Sequence, residues 1–278
     1  VTTHEREELP AARRIVVKVG SSSISGEHAG NIQPLVERLA AAHGRGTEVV
    51  LVSSGAIATG MPFLDLDTRP SDLATQQAAA AVGQNMLIYR YQEALRPFGI
   101  VAGQVLLTAG DLENATHRSN ARRAMERLLG LRILPIVNEN DTVATHEIRF
   151  GDNDRLAALV AQLIHADALV LLSDIECLYT RPPDEPGARP IERVAHDDDL
   201  AGFQFGSVVV NSVGTGGAAT KVSAARVAAA SGVGVLVTSV DLVAQALAGE
   251  PVGTWFEPDP NAVPAPATGA VGTVGARS

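Results

Sequence analysis

Short runs of Val, Ile and Leu recur along this chain, and most of them end in Gly, Ser, Asn or Asp. They fall at 14–19 (RIVVKV), 48–53 (EVVLVS), 100–107 (IVAGQVLL), 132–137 (RILPIV), 168–173 (ALVLLS) and 234–238 (GVLVT). Runs this continuous do not alternate between an apolar and a polar face, so they suit strands covered on both sides. Helical spacing fills the gaps. Residues 31–43 place Ile32, Leu35, Val36 and Leu39 on one face, and 71–95 is an Ala-rich body with Ser71 as its N-cap. Residues 120–129, 153–165, 220–230 and 241–247 continue the pattern. The alternation predicts an α/β fold, an αβα sandwich with a mostly parallel central sheet.

Composition narrows the function. The 278 residues carry 22 Lys and Arg against 31 Asp and Glu, a net charge of −9, which offers no electrostatic basis for non-specific nucleic-acid binding. Cys177 is the only cysteine, so neither an intrachain disulfide nor a cysteine zinc site is available. No window has the roughly 20 apolar residues of a membrane span. With a polar N-terminus, VTTHEREELPAARR, the expectation is a cytosolic protein that binds no membrane. Residues 1–12 are expected to be mobile, the Pro-rich stretch 181–190 an exposed loop between two lobes, and 258–278 a disordered tail.

In a parallel α/β sheet, ligands bind at the carboxyl ends of the strands. Lys18-Val19-Gly20-Ser21, Ser53-Ser54-Gly55, Asn138-Glu139-Asn140-Asp141, Asp152-Asn153-Asp154, Ser173-Asp174 and the run from Gly214 to Lys221 all fall at such ends. Lys18 reads either as an edge-strand lysine whose stem reaches water or as a cation held against phosphate, with Gly20 and the serine amides forming an anion nest. Gly214-Thr215-Gly216-Gly217-Ala218-Ala219-Thr220-Lys221 reads either as an ordinary Gly-rich turn or as a phosphate cradle ahead of a helix. It is not a Walker A motif, because Thr220 precedes the lysine. The Asn/Asp segments suit a divalent cation or a small polar substrate, and Asp152 or Asn153 also suits a helix cap. No G-x-S-x-G elbow is present, and the histidines at 4, 28, 43, 117, 146, 165 and 196 form no metal-binding pattern. Cys177 reads as a small apolar residue.

Taken together, VVKVGSS, VSSGAIATG, ATQQAAAAVGQ, GQVLLT, PIVNENDTVAT, FGDNDRLAALVA, LLSDIECLYT and GTGGAATK resemble the glutamate 5-kinases (γ-glutamyl kinases) of the amino acid kinase family, in order from about Arg14 to Phe256. The resemblance implies transfer of the γ-phosphoryl of ATP, with Mg2+, to the side-chain carboxylate of L-glutamate, the first step of proline synthesis. By that likeness Lys18 and Lys221 are catalytic lysines, and Asp152 and Asp154 organise them. Ser54, Gly55, Asn138, Asp141 and Asn153 are expected to bind glutamate. Lys18, Gly20, Ser21, Ser173, Asp174, Thr215, Gly216, Gly217, Ala218, Ala219, Thr220 and Lys221 are expected to contact the nucleotide, and the protein supplies no metal cluster of its own. A kinase domain at 13–257 is implied, with a glutamate-binding lobe to about 165 and an ATP-binding lobe from about 166.

Feedback inhibition by proline and a homo-oligomer, a dimer or tetramer, are also implied, with 71–95 as a packing surface. The chain departs from the common pattern in three places. It runs from GTWFEP into low-complexity sequence where many members have a PUA domain, Ala218 stands where Met is common, and Glu176-Cys177 replaces the more usual Asp-Gly. The competing readings are a sister kinase acting on another carboxylate and a non-catalytic amino-acid or nucleotide-binding regulator.

Overall fold

A computed structural model describes residues 3–143, 153–198, 200 and 217–262. In chain order the first half contains β1 (Arg14–Val19), α1 (Ile32–Gly44), β2 (Glu48–Ser53), α2 (Ala56–Gly60), α3 (Leu73–Leu95), β3 (Ala102–Leu107), α4 (Ala109–Glu113), α5 (Ala115–Gly130) and β4 (Leu134–Glu139). The second half contains α6 (Asn153–Leu163), β5 (Ala168–Ser173), β6 (Leu178–Tyr179), β7 (Pro190–Ile191), β8 (Arg193–Val194), α7 (Ala218–Ala230), β9 (Gly234–Ser239), α8 (Val243–Leu247) and β10 (Thr254–Phe256).

The main sheet is eight-stranded, in the order β3-β4-β2-β1-β5-β9-β10-β8. From β3 to β9 all neighbours are parallel, and β10 then runs antiparallel to β9. Alternate residues of the strands face two different cores. Val16, Val50, Val52, Leu169, Leu171, Val235 and Val237 pack against α5, α6 and α7. Ile15, Val17, Val49, Leu51, Val170 and Leu236 pack against α1, α3 and α8. Burial on both faces is why the sequence runs are continuous, and the layers are the expected αβα sandwich.

Register gathers the functional ends. Val19 pairs with Ser53 and with Leu172, Leu107 with Glu139, and Ser173 with Ser239, so the polar ends of these strands share one edge. From β1 the sheet extends through β2 in one direction and through β5 in the other. That makes the β1–β5 boundary a topological switch point, where a crevice opens.

Several expectations change. The cap of α3 is Asp72 rather than Ser71: its carboxylate accepts the Thr75 N–H at 2.9 Å, the distance of three residues that a cap requires. Helix α5 starts well before 120, because the Asn114 side chain accepts from the Thr116 and His117 amides, at 3.0 Å each. Strand β4 carries on through Asn138 and Glu139, both polar and both buried.

The N-terminal segment, expected to be mobile, is anchored instead. Leu9 and Ala12 are buried, Arg6 Nη1 donates to the Val252 carbonyl at 2.9 Å, and the Trp255 indole N–H donates to the His4 carbonyl at 3.1 Å. These contacts outweigh the polar composition that suggested mobility. Residues 181–189 are the tip of the β6–β7 hairpin, since Tyr179 pairs with Pro190. Of the tail, Pro258 is buried and the Asp259 N–H donates to the Ala229 carbonyl at 2.8 Å, while 263–278 lie outside the described residues.

Helices α2 and α3 cross at van der Waals contact. A Cβ on Gly83 would lie 1.8 Å from the Ala56 carbonyl oxygen, and one on Gly60 would lie 1.9 Å from that of Ala79. Glycine at both positions is therefore a packing requirement, and α2 follows directly on the Ser54-Gly55 turn.

Candidate active site

The strand ends enclose a cavity of about 460 Å3, a volume suited to a small-molecule site. Its deepest charged group is assembled from three elements. Lys18 comes from β1, Asp154 from the first turn of α6 and Lys221 from the first turns of α7. Lys18 is 3% exposed, Asp154 1% and Lys221 5%. One Asp154 oxygen pairs with the Lys18 ammonium, and the other receives Lys221 Nζ at 3.3 Å and the Thr220 hydroxyl at 3.3 Å. Burial alone would raise the Asp154 carboxyl, but the Lys18 and Lys221 ammoniums outweigh it and hold the group at about 2. Asp154 is therefore ionised across the physiological range and too weak a base to take a proton from substrate. Its work is to fix two cations that would otherwise repel each other. Lys18 is not an edge-strand lysine reaching for water, because β1 is central and its side chain is enclosed.

Asn153 organises the neighbouring wall. Its amide nitrogen lies 3.1 Å from the Ser53 carbonyl, 2.9 Å from Ser54 Oγ and 3.0 Å from Asn138 Oδ1. Its own Oδ1 is buried without a partner among the described residues. In a cavity wall, a solitary buried acceptor suits a donor brought by a ligand. Asn138 is braced in turn, its amide donating to Gln84 Oε1 on α3 at 2.6 Å. Gly55 turns the chain with φ of 94°, and a Cβ there would stand 2.6 Å from Ser25 Oγ. Only glycine supplies that turn without strain.

Asp141 sits on the rim, half-buried. Burial pushes its carboxyl up to about 7, the Glu139 carboxylate adds to the rise, and Arg69 pulls the other way. Gly20, Ser21, Ser173 and Asp174 line the same cavity, and the Ser173 hydroxyl donates to Asp174 at 2.9 Å.

The structure thus brings Lys18, Gly20, Ser21, Ser54, Gly55, Asn138, Asp141, Asn153, Ser173, Asp174 and Lys221 to one cavity, with Asp154 directly behind the lysines. Gly217, Ala218, Ala219 and Thr220 form the start of α7, next to Lys221 but not in the cavity lining. Asp152, Thr215 and Gly216 lie outside the described residues. Sequence reasoning missed Ser25, Asp67, Thr68, Arg69 and Gln84. Four of them line the cavity, Gln84 braces Asn138 from behind, and none belongs to a Gly-rich or strand-end motif. Glu176 contributes its carbonyl to the Thr238 hydroxyl at 3.1 Å, and burial raises the Cys177 thiol, which suits a packing residue. No histidine among the described residues lines the cavity.

Residues 13–239 match the amino acid kinase family. A glutamate 5-kinase of Clavibacter sepedonicus is 72% identical over 92% of this chain and 98% of its own length. The chain belongs to the amino acid kinase family, in its glutamate 5-kinase branch. A glutamate 5-kinase of Leifsonia xyli is 70% identical, over 93% of this chain and 96% of its own. Longer members of the branch exist: for that of Salinispora arenicola, 54% identical, the match covers 92% of this chain but 70% of the relative. Among solved structures, a carbamate kinase from Giardia lamblia bound to AMP-PNP superposes with a TM-score of 0.63, covering 90% of this chain and 100% of that one. At 18% identity that likeness concerns the amino acid kinase fold alone.

Proposed function

We propose that this chain transfers the γ-phosphoryl group of ATP to the side-chain carboxylate of L-glutamate, releasing ADP and L-glutamyl 5-phosphate for proline synthesis. The observation that carries the reading is the buried pair of lysines sharing Asp154 beside a cavity whose polar lining includes amide, hydroxyl and carboxylate groups. Family membership supports it independently.

The acceptor carboxylate is already a nucleophile. Its oxygen forms the new bond to the γ-phosphorus while the bond to the bridging oxygen of ADP breaks and ADP leaves with the electron pair. No proton moves, which agrees with a site whose central carboxylate stays ionised. Lys18 and Lys221 neutralise charge on the transferring group from positions fixed before substrate arrives. Asn153, Ser54 and Asn138 orient the acceptor, while Gly20, Ser21, Ser173, Asp174 and the Gly217–Thr220 turn approach the nucleotide.

Among the described residues no group of three or more His, Cys, Asp or Glu side chains is set to hold a metal. Asp154 is already committed to the lysines, so Mg2+ fits here as an ion liganded by phosphate oxygens and water, supplying further charge neutralisation. In this reading the lobe to about 165, through α6, holds glutamate and the lobe from about 166, β5 onward, holds ATP.

The reading extends to a cytosolic homo-oligomer inhibited by proline. Val82 and Tyr89 are exposed apolar residues on α3, 36% and 59% accessible, which suits a subunit contact. Proline shares glutamate's α-carboxylate and cationic nitrogen and so fits the same polar wall.

ATP-dependent hydroxamate formation with Mg2+ and hydroxylamine tests the reaction. Glutamate is expected to react, and aspartate, N-acetylglutamate and UMP (by ADP release) are not. Turnover of another acceptor instead, or of none by folded protein, overturns it.

Asp141 adds a pH dependence. An ammonium is held by the ionised carboxylate, so KM for glutamate should fall as pH rises through about 7 and then level off. Below that point it should climb about tenfold per pH unit. Asp141→Asn should remove the step and leave KM high throughout; a flat wild-type profile overturns the assignment.

A further inference from the structure

We infer that Arg69 is the specificity-determining residue that reads the α-carboxylate of the amino-acid substrate. The inference rests on the kinase reading above and deepens it. Among the described residues lining the cavity, the cations are Lys18, Lys221 and Arg69. The two lysines are tied to Asp154 at the phosphate end. Glutamate brings three charges: the reacting γ-carboxylate, an α-ammonium and an α-carboxylate. The first belongs beside the lysines. The remaining two need an anion and a cation within one cavity, and Asp141 and Arg69 line the same one.

Arg69 is half-buried and near enough to Asp141 to pull its carboxyl down against burial. Yet the two are not joined in a salt bridge, and Arg69 makes no hydrogen bond to any described residue. Its guanidinium fork is thus available for a planar carboxylate.

The backbone that carries it is fixed. Leu66 N–H donates to the Met61 carbonyl at 3.1 Å, and Gln76 Nε2 donates to the Pro70 carbonyl at 2.7 Å. Asp72 then caps α3. The arginine is therefore presented from a braced turn, and less ordering is needed when substrate binds.

The test compares glutamate with its α-carboxamide, isoglutamine, in wild type and in Arg69→Met and Arg69→Lys. Isoglutamine keeps the γ-carboxylate and the ammonium but loses the α-charge. Wild type should prefer glutamate in kcat/KM by about a hundredfold, the scale of a charge-assisted bidentate pair. Arg69→Met should raise KM for glutamate by a similar factor, leave KM for ATP unchanged and bring the preference close to one. Arg69→Lys should restore part of it, since the charge returns without the fork.

A general structural defect would instead weaken both substrates equally and lower the melting temperature. Glutamate turnover by wild type with the preference unchanged in Arg69→Met overturns the assignment and leaves the kinase reading standing. No turnover of glutamate by wild type overturns both.

Discussion

Replacing Lys221 by Met should lower kcat about a thousandfold while KM for ATP changes far less, and Lys18→Met should behave in the same way. Preorganised charge aimed at a transferring group acts mainly in the transition state, and a single lost donor of that kind costs about 100- to 1000-fold. A second readout follows from Asp154. Its carboxyl is held at about 2 by both ammoniums, so the stability it contributes is complete above the ordinary carboxylate range and is lost as pH falls toward 2. With one lysine gone the native-state value rises, and that loss moves to higher pH. The variants should therefore unfold at a higher pH on acid titration than wild type does. Steady-state kinetics and an acid-unfolding curve followed by circular dichroism check both parts. Unchanged kcat in either variant would sink the assignment of that lysine.

Gly83→Ala should be among the most damaging single-methyl substitutions in the fold. The added carbon would meet the Ala56 carbonyl oxygen at 1.8 Å and the Gly60 nitrogen at 2.5 Å, and backbone cannot rotate out of the way. Helices α2 and α3 must separate, at a cost of about 3 kcal/mol, the upper part of the range for overpacking. In a chain of this size that is a fall in melting temperature of roughly 6–12 °C. Because α2 continues directly from Ser54-Gly55, the shift also reaches the substrate wall, and KM for glutamate should rise with it. Gly130→Ala is the control: a Cβ there meets nothing within 4 Å, so the melting temperature should hold or rise slightly. Equal melting temperatures for the two variants would remove the packing argument.

How far the sequence is legible depends on what each segment faces. Strands β1, β2 and β5 are read to the residue because both faces are buried, leaving only Val, Leu and Ile in their interiors apart from Lys18. Strand β4 is read two residues too early, since Asn138 and Glu139 look like loop but stay in the ladder. Both line the cavity, and a strand end that faces a cavity is where local pattern and structure part. The first turn of α5 is hidden because Thr116, His117 and Arg118 lack apolar spacing; its support is the Asn114 cap.

In the site, the lysines and the Asn/Asp motifs are visible as residue types at strand ends. That one carboxylate serves both lysines is not, because it depends on β1, α6 and α7 meeting in space. Arg69 carries no local signal at all. It lies between elements and reaches the cavity through the path of the chain.

The seam between the segment at 3–12 and the stretch around β10 has a consequence for biosynthesis. The segment at 3–12 is made long before its partners at Val252, Gly253 and Trp255. Until those residues leave the ribosome, Leu9 has no complete socket and β9 presents a bare antiparallel edge where β10 belongs. The nascent kinase therefore passes through an interval in which a long parallel sheet has an open side and the segment at 3–12 lacks its partners. Such edges recruit other chains. Closing the seam covers that edge with β10 and seats the segment at 3–12 against it.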